Sequence, residues 1–428
     1  MNSEKIRQLN GHDIATAVTA GLTAILSFTN IIRYAVMGEP VSFVTMLIVN
    51  VLFVLCALSA FFGKLPPLFF AVTVSAAALF VITNNAETTL YNFTFALQAG
   101  VSAIGGITGT VLGCLHRVRP RRIGALFLAF AGLLAAVFGA VRGAETLAAK
   151  NRTHALPELW AVPTIYDRAE CAQQGTVEKI EYKTKAYATD GREVTKSAYV
   201  YLPYGYSENE RYDILYLLHG TGDDESYWLV DNPENKTMVD NLIFCGVIRP
   251  LLIVTPTFYV EGDCANDLDP LTYSFNEELR NDLMPAVEGK YSTYAERCDA
   301  AAFTESRSHR AFAGLSRGAV TTLHSAFCGS LDYFSSFGTF SASRTPVEEF
   351  RAAIQSEKFK DFSIDYRYLA SGAFDFGLHS QVTDYKALLK VEPRLVRGVN
   401  TSMDVFPMRY HSMGNRHLAL YNFLQKIF

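Results

Sequence analysis

The stretch HRAFAGLSRGAVTTLHSAF, residues 309–327, reads as a strand, a glycine-flanked serine and a helix in immediate succession, and few folds accommodate that order. Gly314, Leu315, Ser316, Arg317 and Gly318 fit the pattern G-x-S-x-G. That spacing has a physical purpose. A serine held in a strained strand-to-helix turn stands clear of a sheet, and glycine two positions to either side lets strand and helix pass without a Cβ clash. Residues 310–313 suit a short buried strand, and residues 319–327 carry apolar side chains at helical spacing. Ser316 is therefore the candidate nucleophile.

From residue 176 onward, strand and helix patterns alternate. Strands are expected at 177–184, 196–202, 214–218, 251–256, 310–313, 333–341, 366–370 and 403–407. Helices are expected at 273–287, from 346, at 380–390 and from 415. Strands separated by helical stretches argue for a mostly parallel sheet with helices on both faces. With the serine turn, this predicts an α/β fold of the α/β-hydrolase kind over residues 176–428.

The first third of the chain is different in kind. Of the 428 residues 50% are hydrophobic, mean hydropathy is +0.13, and nearly all of the excess lies before about residue 145. Five apolar segments, 14–32, 41–62, 68–83, 93–115 and 123–141, mostly approach the ~20 residues that cross a bilayer as a helix. An all-helical transmembrane region over 1–145, joined by a linker at 146–175, is expected to precede the α/β domain. The lipid bilayer is thus an expected partner. No carboxylate or lysine lies within a segment, so an anchor fits better than an ion or proton pathway. Lys5 and Arg7, Lys64, and the run of arginines in 116–122 fall on one side of the alternation; the opposite loops hold only Arg33, offset by Glu39. The excess of basic residues on the cytoplasmic side then puts the N-terminus inside and the α/β domain outside a cytoplasmic membrane.

A net charge of −4 and the lack of a basic cluster with interleaved aromatics argue against a nucleic-acid partner. Of seven cysteines, Cys56 and Cys114 lie in apolar segments. Cys171, Cys245, Cys264, Cys298 and Cys328 show no C-x-x-C and no metal-ligand spacing. They read as buried thiols, with a bridge or two among them left open. No metal or other cofactor is expected.

A serine nucleophile needs a base and an acid that orients the base, in the chain order Ser, Asp or Glu, His for this fold. Asp375, in Ser-Gly-Ala-Phe-Asp just past the strand at 366–370, is the expected acid, because ligands in α/β sheets gather at the carboxyl ends of strands. His411, between the last strand and the closing helix, is expected to be the base ahead of His417, which falls on that helix. The oxyanion of a tetrahedral intermediate needs two backbone N–H donors. One is that of Arg317; the other is expected from Thr221 or Gly222 in the glycine-rich loop His-Gly-Thr-Gly at 219–222.

The strings YLLHGTGDDESYW (216–228), PLLIVTPTF (250–258), ELRNDLMPAVEGKYSTYAE (278–296), SRSHRAFAGLSRGA (306–319) and ASGAFDF (370–376) make residues 199–428 resemble carbohydrate esterase family 1. That group holds feruloyl and acetylxylan esterases, with enterochelin-esterase-like and mycolyltransferase-like relatives. The resemblance implies Ser316 as nucleophile, Asp375 as acid and His411 as base. Where members often have Met after the nucleophile, His-Gly-Gly-Gly in the loop and Trp soon after the histidine, this chain has Arg317, Thr221, and Ser412 with Met413. The implied activity is hydrolysis of an acyl or feruloyl ester on a polysaccharide, or of a related ester such as a siderophore. Acyl transfer to an envelope glycan or lipid is the second reading, and a catalytically inactive membrane-tethered binding module the third.

Overall fold

A computed structural model describes residues 161–167 and 169–428 apart from 265, 343, 345, 407 and 408, together with Glu158 and the helical Val18, Gly21 and Ile25. Apart from those last three residues, the five apolar segments lie outside this set. Among the described residues no helix is long and apolar enough to cross a membrane. The chain divides into two compact units, Met1–Asn151 with Val405–Gly414, and Arg152–Asp404 with Asn415–Phe428.

Three wholly buried strands form the middle of the second unit: β3 (Asp213–Leu218), β4 (Leu251–Pro256) and β5 (Arg310–Leu315). Strands buried on both faces have no reason to alternate polar and apolar residues, and DILYLL and LLIVTP do not. The flanking strands β1 (Thr176–Lys185), β2 (Glu193–Leu202), β6 (Ser336–Phe340), β7 (Tyr366–Gly372) and β8 (Thr401–Phe406) complete an eight-stranded sheet in the order β1-β2-β4-β3-β5-β6-β7-β8. The pairs β1 with β2 and β2 with β4 are antiparallel; from β4 through β3, β5 and β6 to β7 the pairing is parallel. Edge strand β1 has the burial alternation of a sheet half open to water.

The helices are α1 (Thr164–Asp167), α2 (Glu234–Phe244), α3 (Asp269–Tyr273), α4 (Phe275–Glu278), α5 (Met284–Glu288), α6 (Ala300–Glu305), α7 (Arg317–Thr321), α8 (Val347–Ile354), α9 (Leu378–Val391) and α10 (Met413–Ile427). With the π-helical Thr322–Cys328 that continues α7, they cover both faces of the sheet, as two oppositely directed residues of one strand show. In β6, Phe337 packs edge-on against Phe327, 5.1 Å between centroids, whereas Phe340 meets Phe423 of α10 at 5.8 Å. The single helix expected at 273–287 is broken into α3, α4, a wide π turn at Leu279–Leu283, and α5. Pro285 accounts for part of this, since it cannot donate to the preceding turn. Helix α2 carries no clear amphipathic signature. In α2 the buried face includes Asn235, Asp240 and Asn241, and a hydrophobic period cannot be read from such residues.

Part of the stretch expected as linker packs onto this unit. Glu158 N donates to Asn422 Oδ1 at 2.9 Å, and Asn422 Nδ2 returns a bond to Glu158 O at 2.8 Å. Tyr166 is buried beside Tyr421, and Asn241 Nδ2 holds the carbonyls of Tyr166 and Ala169. All five described cysteines are free thiols; Cys171 is buried, but Cys245 and Cys298 are exposed rather than buried as expected.

The amino end of β5 is held by Arg310, whose guanidinium is fully buried. It forms a two-point pair with Glu288 at 2.8 and 3.0 Å and donates to Phe303 O, Tyr333 O and Ser306 Oγ. Glu288 also accepts from Tyr216 and Thr293. A buried ion pair is tolerable only when such bonds satisfy its remaining valences. This one anchors the strand that delivers Ser316 to the opposite edge.

Candidate active site

Ser316 follows β5 directly and precedes α7, with φ 51° and ψ −113°. A non-glycine residue in that region costs on the order of 1–3 kcal/mol and persists only where its surroundings impose it. They do so here. Ser316 N donates to Phe340 O at 2.8 Å, which ties the turn to β6. A Cβ on Gly314 would collide with the backbone of Gly318, and one on Gly318 would collide with the carbonyls of His219 and Leu218. Both glycines are thus required by close backbone approach. Arg317 opens α7, so its N–H is among those that a helix leaves without an intrahelical acceptor.

The loop at 219–222 leaves the carboxyl end of β3, next to β5. A Cβ built on Gly220 would lie 3.5 Å from Ser316 Cβ, so the loop backbone lies against the serine. Of its two candidate donors, Gly222 N is already engaged by Tyr259 Oη at 2.9 Å. Thr221 N remains as the candidate for the oxyanion. His219 is fully buried, with Nδ1 2.8 Å from Gly220 O and Nε2 2.8 Å from Thr257 Oγ1.

Asp375 lies three residues past β7 and is wholly buried. Its Oδ1 accepts from Gly377 N at 2.8 Å, and Asn415 Nδ2 lies 3.4 Å from Oδ2 while donating to Ser341 Oγ at 2.6 Å. Gly377 must be glycine, because a Cβ there would lie 2.7 Å from Ser341 O. His411 is half-buried in the connection between β8 and α10. His417 is bound at both ring nitrogens, Nδ1 to Asn235 Oδ1 at 2.7 Å and Nε2 to Asp167 Oδ1 at 2.9 Å. It ties α10 to α2 and α1. Nothing in the sequence pattern marks that role, because both partners are remote in the chain.

Arg317, singled out as a departure from the usual residue, pairs its side chain with Asp269 of α3. Arg344 reaches the same carboxylate oxygen at 3.3 Å. Burial pushes the Asp269 carboxyl up, but the hydrogen bond from Arg317 and the two positive charges outweigh it and hold the group below the usual carboxylate range. Next to this pair His324 stacks flat on Tyr273, 3.6 Å between centroids. Among the described residues no group of three or more His, Cys, Asp and Glu could hold a metal ion.

Burial lowers the His219 imidazole from 6.5 to about 4, against the hydrogen bond to Gly220 and the nearby carboxylates, which favour the charged form. The sign follows directly. The unfolded chain takes up this proton near pH 6.5 and the folded one near 4, so the group's contribution is complete above 6.5 and is lost as pH falls to 4. For a shift of this size that is about 3 kcal/mol. Glu278 and Asp404, raised by burial, act in the opposite direction over acid pH, so the check is a site-resolved one. The His219 ring signals in an NMR titration are expected to stay those of neutral imidazole down to pH 5. A midpoint near 6.5 would contradict the buried neutral state.

This arrangement is an α/β esterase fold, and comparison with known proteins agrees. Residues 191–363 match the Esterase family, described as "Putative esterase", over a span that includes the 219–222 loop and Ser316 but stops short of Asp375 and His411. The chain is 38% identical over 167 residues to endo-1,4-beta-xylanase Y of Acetivibrio thermocellus, covering 39% of this chain and 14% of that protein. It is 33% identical over 133 residues to an endo-1,4-beta-xylanase/feruloyl esterase of Xylanibacter ruminicola, covering 30% and 17%. The chain thus spans under a fifth of the length of these curated relatives. Among solved structures, a serine-to-alanine mutant of the feruloyl esterase module from Clostridium thermocellum, complexed with sinapinate, superposes with TM-score 0.55 at 29% identity over 64% of this chain and 94% of that one. A ferulic acid esterase of Anaeromyces mucronatus, at 21% identity and TM-score 0.51 over 64% and 98%, shares the fold.

Proposed function

We infer that this protein hydrolyses carboxylic esters through an acyl-enzyme on Ser316. The observation that carries the reading is the strained backbone of Ser316 between two glycines that nothing larger could replace. In this reading His411 takes the Ser316 proton during attack and returns it to the leaving alcohol, while Asp375 orients the imidazole. The N–H groups of Arg317 and Thr221 stabilise the oxyanion. Support for His411 comes from the chain order Ser, Asp, His and from the occupation of both nitrogens of the competing His417. The relatives named for feruloyl esterase and xylanase activity point to hydroxycinnamoyl or related acyl groups on a xylan-type polysaccharide.

The five apolar segments and the basic residues between them support a further element of the reading. The esterase domain is anchored in the cytoplasmic membrane and faces outward. One experiment tests both parts. The full-length chain is expressed in bacteria, and intact spheroplasts are given a membrane-impermeant feruloylated xylo-oligosaccharide. Ferulate release that sediments with the membranes is expected. Activity against simple aryl esters but none against the feruloylated sugar would refute the substrate class, and activity only after lysis would refute the orientation.

A further inference from the structure

The oxyanion loop is held from behind by a buried chain of hydrogen bonds, and we propose that His219 and Thr257 are positioning residues that aim the Thr221 N–H. The inference rests on the reading of Ser316 as nucleophile. The carbonyl of Gly220 and the N–H of Thr221 belong to one planar trans peptide, so they point in opposite directions. Whatever fixes that carbonyl also fixes the donor. Gly220 O accepts from His219 Nδ1 at 2.8 Å and from Asp223 N at 3.4 Å.

The tautomer follows from the partners. A carbonyl only accepts, so Nδ1 carries the proton, and the lone pair on Nε2 must then accept from Thr257 Oγ1 at 2.8 Å. Thr257 Oγ1 is free to donate, since its other contact is acceptance from Tyr259 N at 3.1 Å. Thr257 is itself held. Its carbonyl accepts from Lys196 Nζ at 2.6 Å; Lys196 pairs with Glu278 Oε2 at 2.7 Å; Glu278 Oε1 accepts from Tyr182 Oη at 2.6 Å. Lys196, Glu278, Thr257 and His219 are all buried. The chain draws on β1, β2, α4 and the segment after β4, so the sheet as a whole sets the loop. An isolated buried ion pair is often no more stable than an apolar one; this pair supplies a donor at a fixed point. On the other side of the loop, the ring of Tyr259 stacks on His219 and its hydroxyl closes off Gly222 N.

Thr257→Val keeps the side-chain shape and removes the donor to Nε2, so the imidazole loses the bond that fixes its ring and, with it, the aim of Nδ1–H at Gly220 O. Loss of a single oxyanion donor costs on the order of 100- to 1000-fold in kcat; misaiming one is expected to cost about 10- to 100-fold in kcat with KM little changed. Thr257→Ser, which restores the hydroxyl, should recover most of it. At His219 the two amides separate aim from packing. The amide nitrogen of Asn can take the place of Nδ1, whereas that of the bulkier Gln takes the place of Nε2. His219→Asn is expected to retain more kcat than His219→Gln, the reverse of what filling volume alone would give. Each variant is first shown to be folded by thermal melting, and if Thr257→Val does not fold the His219 pair decides. A folded Thr257→Val with wild-type kcat, or His219→Gln equal to or better than His219→Asn, overturns the proposal. Ser316→Ala is assayed in parallel: residual turnover there removes the serine reading itself, whereas loss there beside a fully active Thr257→Val removes only the positioning chain.

Discussion

Ser316→Ala is expected to lower kcat/KM for ester hydrolysis by several orders of magnitude while leaving the fold intact. Residues that act as one catalytic unit fail together, and removal of the nucleophile leaves only the donors and the binding surface. The fold should survive, because the turn is imposed by the Ser316 N bond to Phe340 O and by the approach of Gly314 to Gly318, neither of which involves Oγ. Alanine inherits the same strain at φ 51°. Glycine does not, so Ser316→Gly should be as inactive as Ser316→Ala. Its melting temperature should not be lower, since relief of strain on the order of 1–3 kcal/mol offsets the added freedom of the unfolded chain. The measurements are steady-state kinetics on an aryl ester and thermal melts of the three proteins. Substantial turnover by folded Ser316→Ala would falsify the nucleophile assignment.

The second large effect separates two histidines six positions apart. His411→Ala is expected to lose nearly as much activity as Ser316→Ala, because without a base the serine hydroxyl is a weak nucleophile. His417→Ala should instead lower stability. It deletes a buried hydrogen bond to Asn235 Oδ1 and a part-buried one to Asp167 Oδ1, each loss worth about 1 kcal/mol. Below its lowered melting temperature, kcat should stay within a few-fold of wild type. If His417→Ala is inactive but stable while His411→Ala is active, the base is His417, and Asp375, chosen to orient a ring at position 411, falls with the original assignment.

How much of this could be read beforehand differs from element to element. The strand at 251–256 has the same limits in the sequence pattern and in the fold. The serine turn is legible because its geometry is local: five residues specify it, and the glycines declare where backbones must approach. Asp375 could be proposed from its place after a strand, which is also a local matter. By contrast, the strand order β1-β2-β4-β3-β5-β6-β7-β8 has no local signal, since buried apolar strands are interchangeable as patterns. Helix α2 has no such local signal, because its inner face is built of amides and a carboxylate that find partners up to 182 residues away, Tyr201, Tyr166, Ala169 and His417 among them.

Local pattern along the chain is enough to establish an α/β domain with a serine presented on a strained turn, and an apolar third of different character before it. Which polar groups are already spoken for depends on the assembled fold. It engaged Gly222 N with Tyr259, which leaves Thr221 N as the loop's candidate donor; it occupied both nitrogens of His417; and it turned Arg317 toward Asp269. The physical reason is the same in each case. Backbone preference and hydrophobic period act between near neighbours and can be read along the chain. A hydrogen bond to a residue such as Asp167, 250 positions from His417, exists only once the sheet has brought the two together.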